Sequence, residues 1–343
     1  MATIQDVAQH AGVSIATVSR VLNGTTHVNE EVAARVRAAV KELQYQPSRA
    51  AQALRANRSK IIGLLISDIQ NPFFTALIRG VEDVANRNGY SLILCNSDEN
   101  PRKEQQYIEV LCAERVAGAI VVPTSENPPK LRLFREHEIP FISVDRRVKD
   151  RTTDAVLIDN VRGAYEAVTH LIANGYRRIG VITGPISTTT GRERLEGYRK
   201  ALQEANLVYD PSLERIDNFK GEGGYKCANA LLDLEQPVDA LFVTNNLMTL
   251  GALEAIHERH LRIPDAIALV GFDEMPWAAL SGISLTTVTQ PVYELGSTAA
   301  LRLFQRLQDP TAFTKQEIVL TPTLQIRDST RPRPSIPANS AIV

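Results

Sequence analysis

The chain has 343 residues, 44% of them hydrophobic, and 38 Lys and Arg against 39 Asp and Glu leave a formal net charge of −1. That length predicts more than one domain, and the hydrophobic content suits a large buried core. No apolar run reaches the roughly 18 residues of a bilayer span, and MATIQDVAQH lacks the basic-then-apolar build of a secretory signal; the expected location is the cytoplasm. Cys95, Cys112 and Cys227 have no metal-like spacing, which predicts reduced thiols.

The head reads as helices. Residues 4–10 form a short one, stopped at Gly12, which tolerates left-handed backbone. Ser14 is a good N-cap for a second helix over 15–22, and Gly24 ends it. Asn29 caps a third, about 30–44, with Val32, Val36, Val40 and Leu43 at helical spacing. Pro47 interrupts, and RAAQALRAN follows as a short helical stretch. At about 100° per residue, Val18, Val21 and Leu22 share one arc of the second helix and face Val7, Ala8 and Ala11. Ile15, Ala16, Ser19 and Arg20 occupy another arc, which is small, polar and basic. Helix, glycine turn, helix is the helix-turn-helix arrangement, although a plain helical hairpin shares the pattern. Residues 1–60 hold eight Lys or Arg and four acids, so the head carries +4 and the remainder −5. A basic head on an acidic body favours a polyanion partner. Small side chains allow a close approach to a major groove, Arg20 suits a guanine edge, and Thr17, Ser19 and Asn23 suit phosphate oxygens.

From Lys60 the grammar changes. Apolar runs at 61–66, 91–95, 119–122, 141–144, 155–158, 178–183, 240–244 and 267–272 read as strands. Helical stretches at 73–88, 102–115, 161–174, 192–205, 221–234, 246–260 and 292–307 alternate with most of them. That alternation predicts parallel sheets covered by helices, here two sheets of about six strands with crossings near 159–162, 289–291 and 321–324. A cleft between them is the expected ligand site, at the carboxyl ends of the strands. Those ends hold Asp68, Asn71, Phe73, Phe74, Asn96, Asp145, Arg146 and Thr183, with Arg194 further on. The later ones hold Asn218, Phe219, Asn245, Asn246 and Asp273, with Trp277 nearby and Gln290 on the late crossing. Carboxylates, amides and arginines suit bidentate bonding to neighbouring hydroxyls, and aromatic rings suit the C–H faces of a sugar.

TIQDVAQHAGVSIATVSRVLNG resembles the head of the lactose-repressor/galactose-repressor (LacI/GalR) family of bacterial transcription regulators. The likeness continues through YQPSRAAQALRANRSKIIGLLISDIQNPFF, VDRR, RLEGYRKAL, TLGALEAI, VGFDEMP and LTTVTQPVYELG, over roughly residues 3–330. It implies an α/β protein: an all-α helix-turn-helix head and hinge helix, then two doubly wound subdomains like type I periplasmic binding proteins. The implied boundaries are a DNA-binding domain at 1–46 and a hinge helix and linker at 47–60. A sensor N-subdomain at 61–160 plus 291–321 and a C-subdomain at 161–290 plus 322–330 follow. The Pro-rich tail, 331–343, is expected to be disordered.

The resemblance assigns Ile15, Ala16 and Arg20 to base reading and makes 48–56 a hinge helix with Leu54 as a minor-groove wedge. Ser14, His27 and Ala51 complete the candidate DNA-contacting set. A helix that short is marginal alone, and a wedge kinks DNA at a pyrimidine–purine step. A homodimer on a double-stranded pseudo-palindrome with a central CG is therefore expected. The resemblance also matches Asn71, Phe73, Phe74, Asp145, Arg146, Arg194, Phe219, Asn246, Asp273 and Gln290 to pentose-holding positions of ribose-type binding proteins. Asn246 stands where many regulators of the family have Asp. Two acids against two arginines favour a neutral, ribose-like sugar over a sugar acid, sugar phosphate or nucleobase, and the sign of the switch stays open. An enzyme would need a P-loop, GxGxxG, GxSxG or metal cluster, none of which is present; no catalytic residue, cofactor or metal is expected. A transport receptor would have no use for residues 1–60.

Overall fold

Thr3 starts the first helix, α1 (Ile4–Ala11), through a reciprocal cap. The Asp6 amide donates to Thr3 Oγ1 at 3.3 Å, and the Thr3 amide donates to Asp6 Oδ2 at 2.7 Å. The computed structural model describes residues 2–22, 28–45, 59–150, 152–275, 284–309 and 314–332. Gly12 ends α1 at φ 61°, the left-handed region that glycine enters without a Cβ penalty. Arg35 of α3 (Glu30–Glu42) donates through Nη2 to the carbonyls of Ala11 and Gly12, which ties the turn to the third helix. The second helix, α2 (Ile15–Leu22), opens with the Thr17 amide donating to Ser14 Oγ at 3.2 Å. Asn29 caps α3 by accepting from the Glu31 amide at 2.9 Å. Val7, Ala8, Ala11, Val18, Val36 and Ala39 form the core of this head. The third helix stops at Glu42 rather than at residue 44, because Gln44 turns to φ 47°.

Residues 1–59 and 60–343 are separate compact units. In the second, strands and helices alternate as β1 (Ile61–Ile66), α4 (Pro72–Arg87), β2 (Ser91–Asn96), α5 (Pro101–Ala113), β3 (Gly118–Val121), α6 (Arg132–Glu136), β4 (Phe141–Val144) and β5 (Asp154–Ile158). The chain then runs through α7 (Asn160–Ala173), β6 (Ile179–Thr183), α8 (Thr189–Glu204), β7 (Glu214–Ile216), α9 (Gly221–Leu232), β8 (Ala240–Val243), α10 (Asn246–Glu258), β9 (Ala268–Phe272) and β10 (Thr286–Thr289). It ends on α11 (Val292–Gln308), β11 (Glu317–Leu320) and β12 (Thr323–Gln325).

Among the described residues these strands make two six-stranded sheets, ordered β11-β5-β4-β3-β1-β2 and β12-β10-β9-β8-β6-β7. The first is parallel throughout, and the second carries antiparallel β12 on its edge. The order 2-1-3-4-5 in one sheet recurs as 7-6-8-9-10 in the other, so one topology is used twice. The chain passes between sheets after β5, after β10 and between β11 and β12. Helix α11 returns to the first sheet, where Leu295, Ala299 and Leu303 join Ile62, Leu77 and Ile142 in one core.

Four strands and one helix lie outside the runs that the sequence picks out. β7, β11 and β12 are edge strands with half-exposed side chains, β10 is the threonine-rich TTVT, and α6 is one short turn and a half. An edge strand is covered on fewer sides and needs no continuous apolar run. β2 is also half-exposed, so not every strand read as apolar is covered on both faces.

Candidate functional site

The carboxyl ends of β1, β4, β6, β8, β9 and β10 converge on one buried cavity between the two sheets. It is lined by Asp68, Asn71, Phe73, Phe74, Glu99, Asp145, Arg146, Thr190, Arg194, Phe219, Asn245, Asp273 and Gln290. Asn71 lies there because it caps α4, accepting from the Phe73 amide at 2.9 Å. The next turn brings in Phe73 and Phe74, whose rings meet edge to face at 5.0 Å and also belong to the core of the first sheet. Asn246 stands beside the cavity and bridges it, donating from Nδ2 to Asn71 Oδ1 at 2.8 Å.

Asp145 follows β4 and Asp273 follows β9, both with left-handed backbone at φ 65° and 76°. Such a conformation costs about 1–3 kcal/mol in a residue with a Cβ. Burial pushes the Asp145 carboxyl up to about 6; Arg146 and Arg194 oppose the shift, while Asp273 and Glu99 add to it. Burial also raises Asp273, against the pull of Arg194. Gln290 Nε2 donates to Asp273 Oδ1, and Gln290 Oε1 is buried without a hydrogen-bond partner.

The two arginines are held differently from a pair of open forks. Arg146 gives both terminal nitrogens to Glu99, at 2.8 and 2.6 Å, and Nη1 also reaches the Pro123 carbonyl at 3.2 Å. Its Nε is buried without a hydrogen-bond partner, 3.7 Å from Asp145 Oδ2. The guanidinium lies 5.0 Å from the Phe219 ring centre. Burial works against the Arg146 charge, but Glu99, Asp145 and Glu104 outweigh it and raise its affinity for the proton. Arg194 donates from Nε to Asn160 Oδ1 at 2.8 Å and from Nη1 to the Thr244 carbonyl at 2.6 Å, stacked 3.8 Å from the Phe272 ring centre.

Across the cleft, Lys220 Nζ bridges Asp68 at 2.8 Å and Asp98 at 2.9 Å. Arg147 reaches Glu193 at 2.7 Å, and Arg192 reaches Glu126 at 2.7 Å. These bridges join the two sides of the cleft around a cavity of about 30 Å³.

On the head, Ser14, Ile15, Ala16 and Arg20 are exposed, Thr17 and Ser19 are half-buried, and Val18 is buried. Ile15, 38% exposed, shares the α2 surface with Ala16 and Arg20.

A family model described as "Bacterial regulatory proteins, lacI family" matches residues 3–48, and one described as "Periplasmic binding proteins and sugar binding domain of LacI family" matches residues 59–326. The chain belongs to the LacI family. Among its relatives are the HTH-type transcriptional repressor PurR of Haemophilus influenzae (37% identical; 96% of this chain and 99% of that one) and the ribose operon repressor of Escherichia coli (37%; 96% and 100%). The solved Lac repressor dimer bound to operator and the anti-inducer ONPF is 29% identical, covers 96% of this chain and 99% of its own, and superposes with a TM-score of 0.84. These LacI-family relatives are transcriptional repressors, not enzymes. LacI-family repressors bind DNA operators and small-molecule effectors. Among the described residues no helix is long and apolar enough to cross a membrane, and no cluster of His, Cys, Asp and Glu is arranged to hold a metal.

Of the ligand residues expected in this LacI-family sensor, Asn71, Phe73, Phe74, Asp145, Arg146, Arg194, Phe219, Asp273 and Gln290 line one cavity, and Asn246 borders it. Trp277 lies outside the described residues, as do Asn23, Gly24, His27, Ala51, Leu54, the 48–56 helix and residues 333–343 of the tail. Arg331, at the start of that tail, is tied in: its carbonyl accepts from the Tyr176 hydroxyl at 2.9 Å. Sequence reasoning missed Glu99, Thr190 and Lys220. Glu99 follows β2 in CNSDEN, where an acid at a strand's carboxyl end was the available signal; Thr190 sits in the TTT run after β6. The simple count of two acids against two arginines is corrected, because Glu99 and Asp68 also line the cavity and Lys220 pairs with the latter.

Proposed function

We propose that this LacI-type regulator is a repressor that binds a pseudo-palindromic operator as a homodimer and is switched by a neutral monosaccharide in the cleft, a ribose-like pentose being favoured. It acts in the cytoplasm, on nucleoid DNA. Ile15, Ala16 and Arg20 read base edges, while Ser14, Thr17, Ser19, Asn23 and His27 serve the phosphates and the approach to them. Ala51 and Leu54 work at a central CG step. Asp145, Asp273, Asn71 and Gln290 bond hydroxyls, Phe73, Phe74 and Phe219 cover the ring, and Trp277 closes the site.

One observation carries the effector reading: Glu99 already engages both terminal nitrogens of Arg146, and Arg194 is held through Nε and Nη1, while single buried polar atoms, Arg146 Nε and Gln290 Oε1, have no hydrogen-bond partner. A buried unpartnered polar atom costs about 1–3 kcal/mol. Isolated donors and acceptors among carboxylates and aromatic rings suit hydroxyls, whereas a phosphate or carboxylate needs an open fork. The kinship with a ribose operon repressor supports a pentose.

A thermal-shift screen of the full chain against neutral monosaccharides, sugar acids, sugar phosphates and nucleobases tests this. A ligand at 100 times its Kd stabilises by about 2.7 kcal/mol. Stabilisation by a neutral sugar supports the reading, and stabilisation by an anion or a base alone overturns it. In mobility-shift assays, the cognate sugar should change operator affinity in one direction or the other; no change in either removes the switch.

A further inference from the structure

We propose that Glu99 sets the charge class of the effector: by holding both terminal nitrogens of Arg146, it turns the site against phosphorylated and acidic sugars. The inference deepens the neutral-sugar reading and rests on it.

Arg146 is 4% exposed and sits at the end of β4 with its guanidinium over Phe219. A guanidinium in that position, with its fork free, is a ready receptor for phosphate or carboxylate. Glu99 occupies the fork instead, as a bidentate pair at 2.6 and 2.8 Å. What remains for a ligand is the lone Nε–H, a donor for one hydroxyl. A second carboxylate stands behind the first: Glu104, fully buried, accepts from the Thr124 amide and hydroxyl, each at 2.8 Å. With Asp145 beside Arg146 and Glu104 acting from behind, an incoming anion finds the Arg146 charge already neutralised. Glu99 is held there by its backbone: Asp98 and Glu99 are both left-handed, at φ 55° and 54°, and the Glu99 amide donates to the Ser67 carbonyl at 2.8 Å. Glu99 is a positioning residue that acts through Arg146.

The test titrates full-length wild type, Glu99→Gln and Glu99→Asp calorimetrically with D-ribose, D-ribose 5-phosphate and orthophosphate. Wild type is expected to take up ribose and neither anion. Glu99→Gln frees the fork and should raise affinity for ribose 5-phosphate, relative to ribose, by at least about tenfold. Glu99→Asp keeps the charge and should keep the wild-type ratio, which a merely structural role would not predict. If wild type binds ribose and Glu99→Gln leaves the ratio unchanged, the inference falls and the proposed function stands. If wild type does not bind ribose, ribose falls as the effector, and the orthophosphate arm still decides: a gain in Glu99→Gln upholds the role of Glu99, and no gain overturns it. Should Glu99→Gln melt far below wild type, the wild type itself suffices, because binding ribose 5-phosphate as tightly as ribose refutes the proposal.

Discussion

Asp145 and Asp273 occupy one position of a unit used twice. Each follows the fourth strand of its sheet, and each takes left-handed backbone. Each backbone amide donates at 2.9 Å to the neighbouring strand, Asp145 to Val156 and Asp273 to Val288. The repeat thus places two buried carboxylates in one cavity, where both act on the Arg194 charge.

That pairing has a pH signature. The Asp145 carboxyl, raised by burial to about 6, is half protonated near that pH in the ligand-free protein. In the proposed sugar complex, a hydroxyl donates more strongly to the carboxylate than to the neutral acid. Effector affinity should therefore hold at pH 7 and above and weaken below about pH 6, by less than tenfold per unit. On folding alone the sign reverses: the penalty of burying this charge is absent below the ordinary value of 3.8 and fully present above about 6. Calorimetric titrations across this window check the first statement, and Asp145→Asn should flatten the profile while weakening binding.

Lys220, like Arg147 and Arg192, pairs with acids across the cleft. Replacing it with Met leaves Asp68, 4% exposed, without its partner in the closed arrangement. Effector binding should weaken by about tenfold, or 1.4 kcal/mol, and the ligand-free sensor should scatter X-rays as a larger particle. An unchanged Kd would mean that closure does not depend on this bridge.

Arg20→Ala should cost about 1–3 kcal/mol on the preferred operator and relax base choice at one position per half-site. Thermal stabilisation by the effector should be untouched. Selection from random duplexes reads out the change, and an identical consensus for wild type and variant would remove the base-reading assignment.

Helices α4 and α11 meet through glycine. A Cβ on Gly296 would stand 2.2 Å from the Leu77 carbonyl oxygen, and one on Gly80 would stand 2.3 Å from that of Tyr293. Gly296→Ala forces these backbones apart and should destabilise by about 1–3 kcal/mol. The midpoint of thermal melting should fall by several degrees, about 2–4 °C per kcal/mol. Gly89→Ala makes a useful contrast: a Cβ there has open space, so only its φ of 74° is penalised.

The fold was legible where burial imposes a pattern. IIGLLI is covered on both faces and reads as a strand at sight, while the three-residue β7, Glu214–Ile216, is half-exposed and carries no such run. The cleft residues were legible by position, since Asp145, Asp273 and Asn246 each follow a strand. Their partners were not. That Arg146 turns its fork to Glu99, 47 residues away, depends on two successive left-handed residues, and local sequence does not announce that geometry. Arg147 likewise meets Glu317 across 170 positions, through a contact that only the assembled sheets create.

The return of α11 and β11 to the first sheet has a consequence for synthesis on the ribosome. Ile62, Leu77 and Ile142 emerge early, but Leu295, Ala299 and Leu303, which share their core, come about 150 or more residues later. The first half of the sensor must wait, its apolar layer uncovered, while the second half is made. A nascent chain arrested before residue 292 is where chaperone dependence and aggregation of this protein should concentrate.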